Sequence, residues 1–235
     1  MMSIFAARRL PTFLCLGLTL AYPMFSVPVQ GSVRVLSVQV GELPARTLTE
    51  GAIWCYAALV LAVALFWERR SPASLGIQKP TWSSVRMGIA GALAIAVAGA
   101  LAGYLVDGVL HAPVNAEAQA ASLTRGSVGY AICLAVRAGV IEETLFRGLA
   151  IEQLAALTGK RWLAASAAAM AFTALHALRF EWVQLIPIGA ISIILTVLYV
   201  WRHDLLTNII AHVVVDGIGL VVLAMHASRL QSDYL

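Results

Sequence analysis

The sequence predicts an all-α protein, a polytopic bundle of about seven transmembrane helices, and three observations carry that prediction. Hydrophobic residues make up 60% of the 235 and charged residues only 12%, with a mean hydropathy of +0.85, outside the range of ordinary soluble domains. Runs free of Asp, Glu, Lys and Arg cover residues 10–33, 51–67, 87–106, 162–178 and 182–201. Each is about the length, ~20 residues, that crosses a hydrocarbon core as a helix. Two further stretches, 127–150 and 205–226, are apolar except at a few polar positions.

Taken in order, the first span follows Arg8 and Arg9 and carries Pro23 and Pro28 near its end. That start has the look of a signal peptide, but no A-x-A cleavage pattern follows, so a retained anchor is expected. The second span, 51–67, is apolar throughout. The third, 87–106, holds Gly99 and Gly103 in a G-x-x-x-G spacing, read as a helix-packing face. The fourth, 127–150, holds Arg137, Glu142, Glu143 and Arg147. The fifth, 162–178, is nearly all Ala and Ser over 164–171 and ends near His176, and the sixth, 182–201, carries no charge. The seventh, 205–226, brings Asn208, His212 and Asp216. Loops are short and no repeat is visible, so residues 1–125 form N-terminal spans and 126–235 a core within one integrated membrane domain.

An inside N-terminus gives the inner side Arg8, Arg9, Arg69, Arg70, Lys79, Arg86, Lys160, Arg161 and Arg202. The outer side then holds Arg34, Arg46, Arg125, Arg179 and Arg229, and the asymmetry favours that orientation. The net charge of +4 and pI near 9.2 do not indicate nucleic acid, because no Lys/Arg run exceeds two residues and no aromatic-basic platform accompanies them. Topogenic charge beside anionic lipid accounts for it. Cys15, Cys55 and Cys133 lie in apolar runs without C-x-x-C spacing, and read as buried small hydrophobes.

An ionisable side chain at bilayer depth costs a few kcal/mol or more, so it stays only where it is paired, solvated or used. Glu142 and Glu143 point in adjacent directions on one helix, and Glu143 stands i, i+4 from Arg147. Arg147 therefore neutralises one glutamate and leaves Glu142 for general-base work, or else the cluster, with Arg137, is a purely structural ion group. His176 alone is as readily structural as functional. Asn208, His212 and Asp216, at i, i+4 and i+8, share one stripe and face one interior rather than lipid. No H-E-x-x-H, G-x-S-x-G or P-loop is present. An aspartyl pair of Asp107 and Asp216 lacks its flanking residues.

Three motifs in order, Glu142-Glu143-Thr144-Leu145-Phe146-Arg147, Phe172-Thr173-Ala174-Leu175-His176 and His212-Val213-Val214-Val215-Asp216, make residues 130–220 resemble the CAAX protease and bacteriocin-processing (CPBP) family. The family's patterns are E-E-x-x-x-R, F-x-x-x-H and H-x-x-x-N or D, each on a different membrane helix. The resemblance implies an intramembrane endopeptidase in a bacterial cytoplasmic membrane, with the catalytic motifs on the last spans. It implies that Glu142 activates water with help from His176, that Glu143 pairs with Arg147, and that His212 and Asp216 face the oxyanion. Asp216 stands where many members have Asn; a carboxylate cannot donate, so it is protonated or orients His212, with Asn208 as a substitute donor. No cofactor is expected. The alternative is zinc on Glu142, His176 and His212. The expected partners are the bilayer and a membrane-associated protein or peptide. The rival readings are a proton- or ion-coupled transporter, which wants a matching polar site in the first half, and a catalytically idle scaffold or immunity protein.

Depth raises one tension. Glu142 and His212 lie roughly eight residues, about 12 Å, from the inner face, whereas His176 falls near the outer one. The fifth span is therefore expected to deviate from a simple crossing.

Overall fold

The structure, a computed structural model, describes residues 4–111, 124 and 127–232; Arg125, counted above among the outer charges, lies outside the described residues. Among the described residues every regular element is helical and none is a strand. The α-helices are α1 (Ile4–Gly31), α2 (Val33–Val40), α3 (Glu42–Ala62), α4 (Trp82–Leu110), α5 (Val128–Glu142), α6 (Glu152–Thr158), α7 (Arg161–Leu175), α8 (Leu185–Arg202) and α9 (Leu205–Ser232). Two π-helical stretches, Val63–Trp67 and Glu143–Ile151, continue α3 and α5.

Among the described residues five segments are long and apolar enough to cross a membrane: Leu10–Gly31, Glu42–Trp67, Trp82–Val109, Trp182–Arg202 and Leu205–His226. Two of the seven expected spans are not among them. The stretch over 127–150 divides into α5, of 15 residues, and a π-helix of 9. It carries Arg137, Glu142, Glu143 and Arg147, too many charges for an apolar window. Helix α7 has 15 residues, about 22 Å at ~1.5 Å each, short of the ~30 Å core. It ends in a 3-10 turn, His176–Leu178.

The chain forms two compact units, Met1–Leu75 with Thr144–Phe180 and Gly76–Glu143 with Glu181–Leu235. In the first, α1 lies along α3. The Tyr56 hydroxyl donates to the Leu18 carbonyl at 2.8 Å, and its ring stacks on Phe25 with centroids 4.6 Å apart. Just past α3, the Glu68 carboxylate accepts from the Thr12 hydroxyl at 2.7 Å and the Gln153 amide at 2.9 Å, with Arg70 Nε 2.8 Å away. A carboxylate this enclosed persists only when its oxygens are satisfied, so the knot ties α1, the end of α3 and α6 together. Of the three cysteines only Cys15 is buried; Cys55 and Cys133 are exposed and all are free thiols. The expectation of three buried cysteines is corrected there, because an apolar residue on a lipid-facing stripe is as well solvated as one inside.

In the second unit α9 packs against α4, α5 and α8. A core of Ile95, Leu195, Leu198 and Ala211 joins α4, α8 and α9. Close approach comes from glycines other than the predicted pair. A Cβ on Gly99 or Gly103 would meet nothing within 4 Å, whereas one on Gly88 would meet Ile210 Cβ at 2.7 Å and the Thr207 carbonyl at 3.0 Å. The G-x-x-x-G spacing is thus unused among the described residues, and the packing face of α4 lies a few turns nearer its N-terminus. Gly139 brings α5 onto α9: a Cβ there would strike Val213 Cγ2 and stand 3.1 Å from its backbone nitrogen and 3.3 Å from the Ile209 carbonyl. Gly139→Ala is expected to cost about 1–3 kcal/mol by overpacking, read as a lowered melting temperature in detergent. A melt equal to wild type would show that the two helices can separate freely.

One end of this unit is built by polar contacts. The Gly76 carbonyl accepts from Leu205 N–H at 2.8 Å, Gln78 donates to the His203 carbonyl at 2.6 Å and Arg202 to Ser83 at 3.0 Å. Trp82 and Trp201 are exposed beside them, as aromatic residues are at a membrane–water interface. Asp204 precedes α9 and caps it, accepting from Leu206 N–H at 3.1 Å and the Thr207 hydroxyl at 2.7 Å. Burial by itself would raise the Asp204 carboxyl, but hydrogen bonds from Ser84, Thr207 and Leu206 outweigh it and hold the group below its ordinary value. A carboxyl lowered in the fold contributes stability that is complete above its unfolded value, about 3.9, and is lost as pH falls through the folded one. Asp204→Ala is therefore expected to lower stability by about 1–2 kcal/mol at neutral pH and to show less further loss on acidification. Melting curves at pH 7 and at lower pH check both; parallel losses in variant and wild type would remove Asp204 from the account.

Candidate active site

The second unit contains Glu142 and brings together Glu143, Asn208, His212 and Asp216. Because Gly139 lets α5 sit against α9, the residue one turn later, Glu143, reaches the polar stripe of α9. Glu143 has no exposed surface. Its Oε1 lies 2.8 Å from His212 Nδ1 and its Oε2 accepts from Asn208 Nδ2 at 3.0 Å. Counting along the helix gives Glu143 an i, i+4 neighbour in Arg147. The partners on α9, 65 and 69 residues away, were not legible from that count. Asn208 and His212 lie roughly 5 and 11 Å along α9 from its capped end, at ~1.5 Å per residue.

An ionised carboxylate only accepts, so the contact with Glu143 puts a proton on His212 Nδ1. The other ring nitrogen, Nε2, stands 3.4 Å from Asp216 Oδ2. The two ends of the array differ: Glu143 is enclosed, while the Asp216 side chain is 32% exposed. Glu142, the last residue of α5, is partly exposed beside this enclosed neighbour. Both ring nitrogens of His212 thus face carboxylate oxygens, and among the described residues no three His, Cys, Asp or Glu side chains gather as a metal-holding set.

The first unit holds Arg147 and His176, joined through Phe172. The buried Arg147 guanidinium lies 4.4 Å from the centroid of the Phe172 ring, and Phe146 meets that ring edge-on at 5.1 Å. Phe172 also seats His176: the rings are 4.4 Å apart, and His176 Nδ1 lies 2.7 Å from the Phe172 carbonyl. A carbonyl accepts only, so Nδ1 carries the proton and Nε2 of a neutral ring keeps its lone pair. The F-x-x-x-H spacing is the i, i+4 geometry that this bond requires. His176 is half-buried at the end of α7.

Two residues of the arrangement carried weaker signals in the sequence. Asn208 stood on the polar stripe but only as a substitute donor; Gly139 gave no signal, since a helical glycine in an apolar run has many uses. Residues 124–218, which contain all three motifs, match the family model described as Rce1-like, type II CAAX prenyl endopeptidase Rce1-like. No curated protein and no solved structure matches the chain.

Proposed function

From the match of residues 124–218 to the Rce1-like family model, which supports a CPBP family member, and from the five helices that, among the described residues, are long and apolar enough to cross a membrane, we propose that this integral membrane protein is an endopeptidase that hydrolyses a peptide bond with water activated by Glu142. The observation that carries the reading is the Glu143–His212–Asp216 array, enclosed at its Glu143 end, with the partly exposed Glu142 next to Glu143 in the chain. A lipid-facing or purely packing helix has no use for such a set.

In this reading Glu142 takes a proton from water as the oxygen attacks the scissile carbonyl carbon, then returns it to the departing amine. His212 has a carboxylate oxygen at each ring nitrogen and carries a proton on both; its Nε2–H donates to the carbonyl oxygen as negative charge develops there, and the carboxylate of Glu143 on the opposite nitrogen holds the ring for that task. Asp216, at the long and more exposed contact, orients His212 and gives way to the substrate oxygen. His176 is assigned to the attacking water on the family's pattern. Arg147 acts on the protein rather than the substrate, holding Phe172 and with it the His176 backbone bond. The substrate is a membrane-associated or C-terminal peptide segment, and the setting a bacterial cytoplasmic membrane. No metal is assigned a role.

The test is cleavage of a panel of membrane-anchored reporter peptides by purified protein in detergent, with wild type and Glu142→Ala side by side and each with and without a chelator. Cleavage by wild type alone, unaffected by chelator, is the expected result. Loss of cleavage with chelator would move the chemistry to a metal, and equal cleavage by the two proteins would remove Glu142 from it.

A further inference from the structure

Asn208 belongs to none of the three motifs, yet it is among the most enclosed polar side chains of the array, with no exposed surface. Its amide nitrogen donates twice, to Glu143 Oε2 at 3.0 Å and to the Leu195 carbonyl at 2.7 Å. An ionised carboxylate and a carbonyl are both acceptors only, so the amide fits one way round, nitrogen toward them and oxygen away. That oxygen is buried without a hydrogen-bond partner. An enclosed acceptor left unsatisfied is costly, and a leucine at this position would avoid the cost. The fold keeps the unsatisfied oxygen together with the two bonds from the nitrogen.

We propose that Asn208 is the positioning residue of this site. Anchored to the backbone of α8 at Leu195, it holds Glu143 Oε2 and so turns Oε1 to receive the Nδ1 proton of His212. It thereby fixes the Nδ1–H bond of His212 and with it the direction of Nε2. The Glu143 carboxylate meets two residues of α9 at once, and the Leu195 carbonyl is the fixed point that removes its torsional freedom. Asn208 touches no reacting atom; it acts through Glu143 and His212. The ring-orientation part of the proposal stands on geometry alone, whereas its kinetic part rests on the endopeptidase reading.

The experiment uses the full chain labelled with ¹⁵N at its five histidines, in detergent micelles, with the His212 ring signals assigned by their loss in His212→Gln. Wild type is expected to show His212 protonated and hydrogen-bonded at Nδ1 in one ring form. Asn208→Leu, close in volume, and Asn208→Asp, which replaces the donor by an acceptor, are both expected to give shifted or averaged ring signals. Two variants of opposite polarity guard against one failing to fold. With a reporter that wild type cleaves, each is expected to lose about 10- to 100-fold in kcat per folded molecule, the scale seen for groups that orient a working histidine, with KM unchanged. Unshifted His212 signals in a folded variant would overturn the proposal, as would a loss confined to the yield of folded protein with kcat intact. If wild type cuts no reporter, the endopeptidase reading fails separately and the ring signals alone decide the role of Asn208.

Discussion

Glu142→Ala is expected to lower kcat on a cleaved reporter by about 100- to 10,000-fold, the range a general base contributes, while the protein still elutes as a folded species. Separating the two effects is feasible because of where the residue sits. Glu142 ends α5 with part of its surface exposed, whereas the packing that joins α5 to α9 runs through Gly139 and Glu143. Glu142→Gln tests the chemistry more narrowly, since it keeps the shape and hydrogen-bonding capacity of the side chain and removes only its ability to accept a proton from water. The two variants should be similarly inactive. A glutamine variant with near wild-type kcat would mean that the side chain orients the substrate or water and takes no proton.

The adjacent glutamate is expected to fail differently. Glu143→Ala removes the acceptor from His212 Nδ1 and from one Asn208 hydrogen in a place with no exposed surface, and breaking an enclosed pair of this kind costs about 3–5 kcal/mol. That is a large fraction of the ~5–15 kcal/mol by which a folded domain survives. The expected result is a protein that melts well below wild type and is inactive. Glu143→Gln should fall between, because its carbonyl oxygen still accepts from His212 while its amide nitrogen faces that of Asn208, donor against donor. Thermal unfolding in detergent ranks the three. If Glu143→Ala melts with wild type, the carboxylate is not the point that holds α5 to α9.

Spans of uniform apolar sequence are legible because the bilayer imposes a length and a composition at once. Leu10–Gly31, Trp82–Val109, Trp182–Arg202 and Leu205–His226 all overlap charge-free or nearly charge-free runs. The second span was placed at 51–67, but its helix starts at Glu42, where Glu42 and Arg46 pair at i, i+4 with 2.7 Å between them; a charge count stops at such residues although the helix does not. Gly41, with φ of +89°, separates α2 from α3, and a single glycine in an apolar stretch does not announce a left-handed turn. The conversion of α5 to π-helix at Glu143 leaves no mark in composition.

Within the site, the residues that follow helical spacing were readable. Asn208, His212 and Asp216 share a stripe by periodicity, and His176 and Phe172 meet because they are four apart. Contacts that depend on how closely two helices pack were not readable. Glu143 reaches His212 only because position 139 lacks a side chain, and no local count contains that information. The same is true of Gly88 against Ile210, which the Gly99–Gly103 spacing concealed.

The bond between Glu143 and the last span also bears on how the chain is made. A ribosome releases α5 before α9 has been synthesised, and the partners of Glu143 lie 65 and 69 residues further on. Until they emerge, the carboxylate has neither Asn208 nor His212. Its helix therefore enters the membrane without the two bonds from α9, and the site is complete only when the final segment arrives.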